Sequence, residues 1–139
     1  MNEKLLSSYF RNHLKEKKLN FIEQISFRNK RIDFVIIEEE DKINTFELKV
    51  CDWKTVFHQA SKNLLFSDNS YIGLWYTFSN RVDMELIKRF NLGLLIIKKN
   101  IVLEIYSPHK NNKYLKHKYY KSFKEKVFNS INHEILFRD

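Results

Sequence analysis

The chain has 139 residues, 43% of them apolar and 15% aromatic, enough for one hydrophobic core and unlike the composition of a disordered segment. Twenty-five Lys and Arg against seventeen Asp and Glu give a net charge of +8, a surplus that favours polyanionic partners. The one cysteine, Cys51, excludes an internal disulfide, and no Cys/His spacing points to zinc. No apolar run reaches the roughly 18 residues of a membrane span or forms the core of a signal peptide, so a cytoplasmic protein without a membrane partner is expected.

Residues 3–18 read as a helix, with Leu5, Leu6, Tyr9, Phe10 and Leu14 at helical spacing. Phe21 to Phe27 alternates as a strand does. Arg31 to Ile37 and Ile43 to Val50 are strands rich in branched residues, joined by a short acidic turn. Lys54 to Phe66 is a helix burying Val56, Phe57, Ala60 and Leu64, with Asp52 placed to cap its start. Tyr71 to Phe78, apolar nearly throughout, reads as an interior strand covered on both faces. Asp83 to Phe90 is a short helix. GLLII and IVLEIYS make a hairpin about the KKN turn, and residues 115–134 are a last helix. The order predicts an α/β fold, a mixed central sheet flanked by helices, forming a single domain over 1–139 without repeats or linkers.

The segment 110–139 is basic and aromatic. From Lys110 to Lys126 there are seven lysines and one acid, Glu125, interleaved with Tyr114, Tyr119, Tyr120 and Phe123. Two readings fit that pattern: aromatics stacking on bases with lysines meeting phosphates, or a helix with a solvated lysine face and an aromatic core face. On the first, Lys113, Lys116, Lys118 and Lys121, with Lys54 on the preceding helix, are the candidate phosphate contacts.

The stretch DFVIIEEEDKINTFELK, Asp33 to Lys49, sets three charges inside two apolar strands. If the hairpin turns around Glu40, paired residue numbers sum to 80 and Asp33 lies across from Glu47. Glu47 and Lys49, two apart, share a face. Side chains across an antiparallel pair are ~5 Å apart and like charges there repel, so two carboxylates need a proton, a cation or a metal ion between them. Lys49 can neutralise one of them; a hard divalent ion such as Mg²⁺ suits the pair better. Glu-x-Lys occurs three times in this chain and means little alone. Only Glu47–Lys49 lies within an apolar strand preceded by another carrying an acid at the matching place.

RIDFVI followed by FELKV resembles the signature of the PD-(D/E)XK nuclease superfamily, and DWKTVFHQASKNLLF with the strand SYIGLWY is similar to the elements that follow it there. The resemblance covers roughly residues 3–78, with Ile32 where the motif's proline would stand. It implies a restriction-endonuclease-like or Holliday-junction-resolvase-like core and a Mg²⁺-dependent endonuclease, with Mn²⁺ as a substitute ion. It further implies metal ligands at Asp33, Glu47 and the Leu48 backbone carbonyl, with Glu3 on the first helix as an added acid. Lys49 would position the attacking water or stabilise developing charge, and Gln59 would support the site from its helix. The plainer alternatives are a salt bridge of Asp33 with Arg31 or Lys49, a surface position for Gln59 and a small buried Cys51.

No Ser/His/Asp motif is present, and two glycines leave no Gly-rich phosphate loop. Two function classes follow: a metal-dependent nuclease acting on DNA more than RNA, and a catalytically silent nuclease-like module that binds nucleic acid or scaffolds a larger complex. One site per chain and little room for a recognition domain point to a homodimer or a larger nucleoprotein assembly.

Overall fold

A computed structural model describes residues 1–136, with side chains described up to residue 132. The elements are α1 (Glu3–Glu16), β1 (Asn20–Phe27), β2 (Lys30–Ile37), β3 (Ile43–Lys49), α2 (Trp53–Asn63), β4 (Asn69–Trp75), α3 (Met84–Arg89), β5 (Gly93–Ile97), β6 (Val102–Tyr106) and α4 (His117–Leu136). The six strands form one sheet in the order of the chain. β1–β2, β2–β3 and β5–β6 are antiparallel, whereas β3–β4 and β4–β5 are parallel and joined through helices. The fold is thus α/β with a mixed sheet flanked by helices.

Three of the helices, α1 to α3, start on an acceptor that satisfies an otherwise free backbone N–H. Asn2 caps α1 by accepting from Leu5 N at 2.8 Å, Asp52 caps α2 through Thr55, and Asp83 caps α3 through Glu85 and Leu86. One face of the sheet is covered by α1, whose Leu6, Phe10 and Leu14 pack on Phe34, Ile36, Phe46 and Leu48. Leu5, at the same sequence spacing, stays exposed. The opposite face carries α2 and α3 over Ile72, Leu74, Leu94 and Ile96, and α4 over Ile22, Ile25, Ile32 and Val35.

The β2–β3 hairpin pairs Phe34 with Phe46 and Ile37 with Ile43, in the register read from the sequence. Its turn passes through a short 3-10 segment, Glu39–Asp41, in which Glu40 takes a left-handed φ of 62°. Most strand boundaries lie within one residue of their expected places, and the largest difference is at the end of β4. β4 ends at Trp75, and Tyr76–Arg81 form a 3-10 turn, with Ser79 Oγ donating to the Tyr76 carbonyl. Tyr76 is 46% exposed, so the apolar run YIGLWYTF outlasts the sheet interior.

The β1–β2 ribbon contains the distortion that shapes the site. Its ladder runs from Asn20↔Ile37 to Phe27↔Lys30 and skips one position, Gln24 opposite Asp33. Gln24 has a left-handed φ of 61°. On one side of this position Glu23 and Phe34 face α1, where Glu23 meets Arg11 at 2.5 Å. On the other side Ile25 and Ile32 face α4. Neighbouring pairs of a regular ribbon at this spacing share a face, so the ribbon has turned over at Gln24/Asp33. Its tip, with Phe27 and Lys30, is thereby laid over the face that carries α2 and α4.

Among the described residues, the aromatic side chains of the C-terminal segment pack inward. Phe123 is fully buried against Phe66 and Phe27, Tyr114 stacks on Phe90, and Tyr119 lies under the Arg28 guanidinium. The Tyr120 hydroxyl donates to Asp68, which also accepts from Ile43 N, so α4 is tied to the start of β3. Phe123→Ala should therefore cost about 3–5 kcal/mol of stability, read from the midpoint of urea unfolding. A loss below ~1 kcal/mol would mean that α4 does not close this core.

Candidate functional site

β3 ends at Lys49, and two acids from other elements bind the backbone there. Leu48 N–H donates to Asp33 Oδ2 at 2.8 Å, and Val50 N–H donates to Glu3 Oε1 at 3.1 Å. Asp33 can do this because β2 has left the ladder at that residue. The residue between the two bonds is Lys49, so its backbone is held from both sides. Leu48 itself is seated over Gly73, where a Cβ would overlap its side chain.

A cleft of about 250 Å³ opens here, lined by Glu3, Lys4 and Ser7 of α1, Gln24, Asp33, Leu48, Lys49 and Gln59. Glu3, Asp33, Lys49 and Gln59 thus come together as the sequence reading requires. Glu3 differs in one respect: it is an exposed residue at the mouth, not a buried one. Lys49 is half-buried and forms no ion pair among the described residues. Asp33 likewise has no salt bridge to Arg31 or Lys49. Gln59 is half-buried, and its Oε1 is enclosed without a hydrogen-bond donor. An orphaned buried carbonyl oxygen is costly and asks for a cation or a donor in front of it.

Glu47 lies deeper. Its side chain is 1% exposed, and Oε2 accepts from Lys30 Nζ at 3.1 Å and from Asn63 Nδ2 at 2.7 Å. Lys30 Nζ also donates to the Gln59 carbonyl at 2.6 Å and to Asn63 Oδ1 at 2.7 Å. The ion-pair partner of Glu47 is thus Lys30, and not Lys49, which the sequence offered as able to neutralise one of the two acids. Its three acceptors match the three N–H groups of an ammonium, while burial lowers the Lys30 pKa against the attraction of Glu47.

Burial governs the ionisation of these groups. Desolvation pushes the Asp33 carboxyl above its ordinary value, against the Leu48 hydrogen bond and the charges of Lys49 and Lys30. Desolvation also raises Glu47, with Asp33 adding to the rise and Lys30 opposing it. Asp33 thus acts on Glu47, although the β2–β3 ladder stops at Phe34↔Phe46, one position short of the pairing of Asp33 with Glu47 read from the sequence.

Oxygen is the donor class that a hard divalent ion such as Mg²⁺ takes, and the cleft is lined by Asp33, Leu48 and Gln59 with its orphaned amide oxygen, whereas Glu47 stands behind it and is not among the lining residues. Among the described residues no three His, Cys, Asp or Glu side chains are grouped as a metal cluster, so a donor set here rests on two acids plus neutral oxygens.

No family model and no curated protein matches the chain. The fold is similar to a solved protein of unknown function from Silicibacter pomeroyi, with a TM-score of 0.73 and 14% identity over 97% of this chain and 89% of that one. Such a likeness speaks for the fold alone. Among the described residues no helix is long and apolar enough to cross a membrane.

Sequence reasoning missed Lys30 and Asn63. Asn63 left a signal, since it stands four residues after Gln59 and so on the same side of α2. Lys30 left none, because the motif places it on a turn and only the overturned ribbon brings it to Glu47. Cys51, expected to be buried, is exposed. Lys54, Lys113, Lys116, Lys118 and Lys121 are all exposed.

Proposed function

We propose that the protein is a metal-dependent nuclease that hydrolyses phosphodiester bonds, in DNA more than in RNA. The observation that carries this reading is the single cleft shared by Asp33, Gln59 and a Lys49 without an ion-pair partner among the described residues. Mg²⁺ would be held by Asp33, Glu47 and the Leu48 carbonyl, with Glu3 at the mouth, and would supply Lewis-acid charge to the scissile phosphate. Asp33 and Glu3 bind the strand end through Leu48 and Val50, which supports a role for the Lys49 ammonium toward the attacking water or the developing negative charge. The Gln59 oxygen, buried without a donor, would take the cation or a water beside it. The order α1-β1-β2-β3-α2-β4 and the agreement of the hairpin register with the motif support the same reading.

The Lys30–Glu47 pair favours the second reading, a nuclease-like module that binds nucleic acid without cutting, because it leaves Glu47 charge-compensated with no ion present. Incubation of supercoiled plasmid and branched DNA with Mg²⁺ or Mn²⁺ decides between them. Nicking that is absent in EDTA and absent in Asp33→Asn is the expected result. Retention of DNA without cleavage in either ion would establish the silent module.

Cutting both strands with one site per chain calls for a second copy or a larger assembly, which sedimentation with and without duplex would register. The exposed lysines are assigned to affinity. Neutralising Lys113, Lys116, Lys118 and Lys121 should weaken DNA binding and lower the log–log salt slope by roughly 0.7–0.9 for each phosphate that is no longer neutralised. An unchanged slope would make them a solvated face only.

A further inference from the structure

We infer that Lys30 is a built-in counter-cation that limits this site to one divalent ion. The inference rests on the metal-site reading above and goes beyond it by assigning the ion count and the residue that sets it.

Glu47 has two oxygens, and Oε2 is fully engaged by Lys30 Nζ at 3.1 Å and Asn63 Nδ2 at 2.7 Å. Oε1 has no hydrogen-bond partner among the described residues, which leaves one oxygen for a metal. In two-metal sites the ions stand about 3.5–4 Å apart and share carboxylates between them. A carboxylate that bridges through both of its oxygens needs both open; here Lys30 and Asn63 hold Glu47 Oε2, and the Leu48 N–H holds Asp33 Oδ2.

The seat is rigid. Asn63 is fully buried and presents Oδ1 to Lys30 and Nδ2 to Glu47, an orientation that cannot be reversed without setting donor against donor. The Gln59 carbonyl takes the third proton of Lys30 at 2.6 Å. The ammonium is thus held by α2 and β3 together, at the tip of a ribbon turned over at Gln24/Asp33. The same distortion frees Asp33 for the cleft and brings Lys30 to Glu47.

Charge counting agrees. The cleft lining holds Glu3 and Asp33 with Lys4 and Lys49, and behind it Glu47 is paired with Lys30, a formally balanced set before any ion enters. One divalent ion makes it a doubly positive site, suited to a phosphodiester. A second would double that charge in a half-buried space with no further acid to offset it.

The test is Mn²⁺ titration of the full chain, counting bound ions by calorimetry and by the paramagnetic resonance of free Mn²⁺. The proteins are wild type, Lys30→Arg and Lys30→Met, each checked for folding by circular dichroism. The expected counts are one ion per chain for wild type and Lys30→Arg, and two for Lys30→Met. Lys30→Gln, which keeps two donors for the network without the charge, replaces Lys30→Met if that variant does not fold, and should also bind two. Two ions in wild type, or one in a folded neutral variant, overturns the inference and leaves the metal site standing. No bound ion in wild type overturns the metal-site reading itself.

Discussion

Lys49→Met is expected to slow metal-dependent cleavage by ~10²–10³, the usual effect of removing a pre-placed charge that stabilises a transition state. Folding should be spared. Lys49 has no ion pair to lose among the described residues, and its backbone neighbours stay anchored by Asp33 and Glu3. Methionine keeps the apolar stem along the cleft wall. Binding should fall little, since one lysine among twenty-five basic residues contributes little to a diffuse field. Arginine should not restore the rate, because a wide fork that stays protonated cannot stand in for a compact ammonium able to exchange a proton. Single-turnover cleavage, with binding measured separately in Ca²⁺, reads all three. A wild-type rate in Lys49→Met would reduce Lys49 to a structural counter-ion and end the mechanism proposed for it.

What the sequence made legible was governed by local rules. The register Phe34↔Phe46 followed from a short hairpin and the alternation of its strands, and the capping role of Asp52 from its place before a helical period. The aromatic segment in α4 fits two patterns equally until Phe123 and Tyr120 are placed against their inward partners, because periodicity alone does not say what a face meets. Lys30 was illegible for a different reason. Its contact with Glu47 spans 17 residues and depends on Gln24 adopting a left-handed φ, which no glycine or asparagine at that position announces. The overrun of β4 had another origin, since apolar character persisted past the point where the sheet stopped covering it.

Mg²⁺ or Mn²⁺ is expected to raise the melting temperature of the wild type, and the double variant Asp33→Asn with Glu47→Gln should lose that response. An ion that binds only the folded state at a hundred times its Kd stabilises by about 2.7 kcal/mol, on the order of 10 °C for a chain of this size. The sequence alone suggested that the double variant would gain stability without metal through relief of like-charge repulsion. The structure reverses that sign. Glu47→Gln leaves the Lys30 ammonium buried among neutral acceptors, so without metal the double variant should melt below the wild type. The response should also depend on pH. Burial raises both carboxyls, so for the metal-free protein their contribution is fullest below the ordinary carboxylate range and is lost as pH rises through the raised folded values. Metal needs the ionised forms, so its stabilisation runs the opposite way, small at acid pH and growing as pH rises through that same window. Thermal melts at pH 5 and pH 7.5, with and without Mn²⁺, compare the two trends directly. Equal metal shifts at both pH values would mean that burial does not control these acids, and equal shifts in wild type and double variant would place the ion elsewhere on the protein.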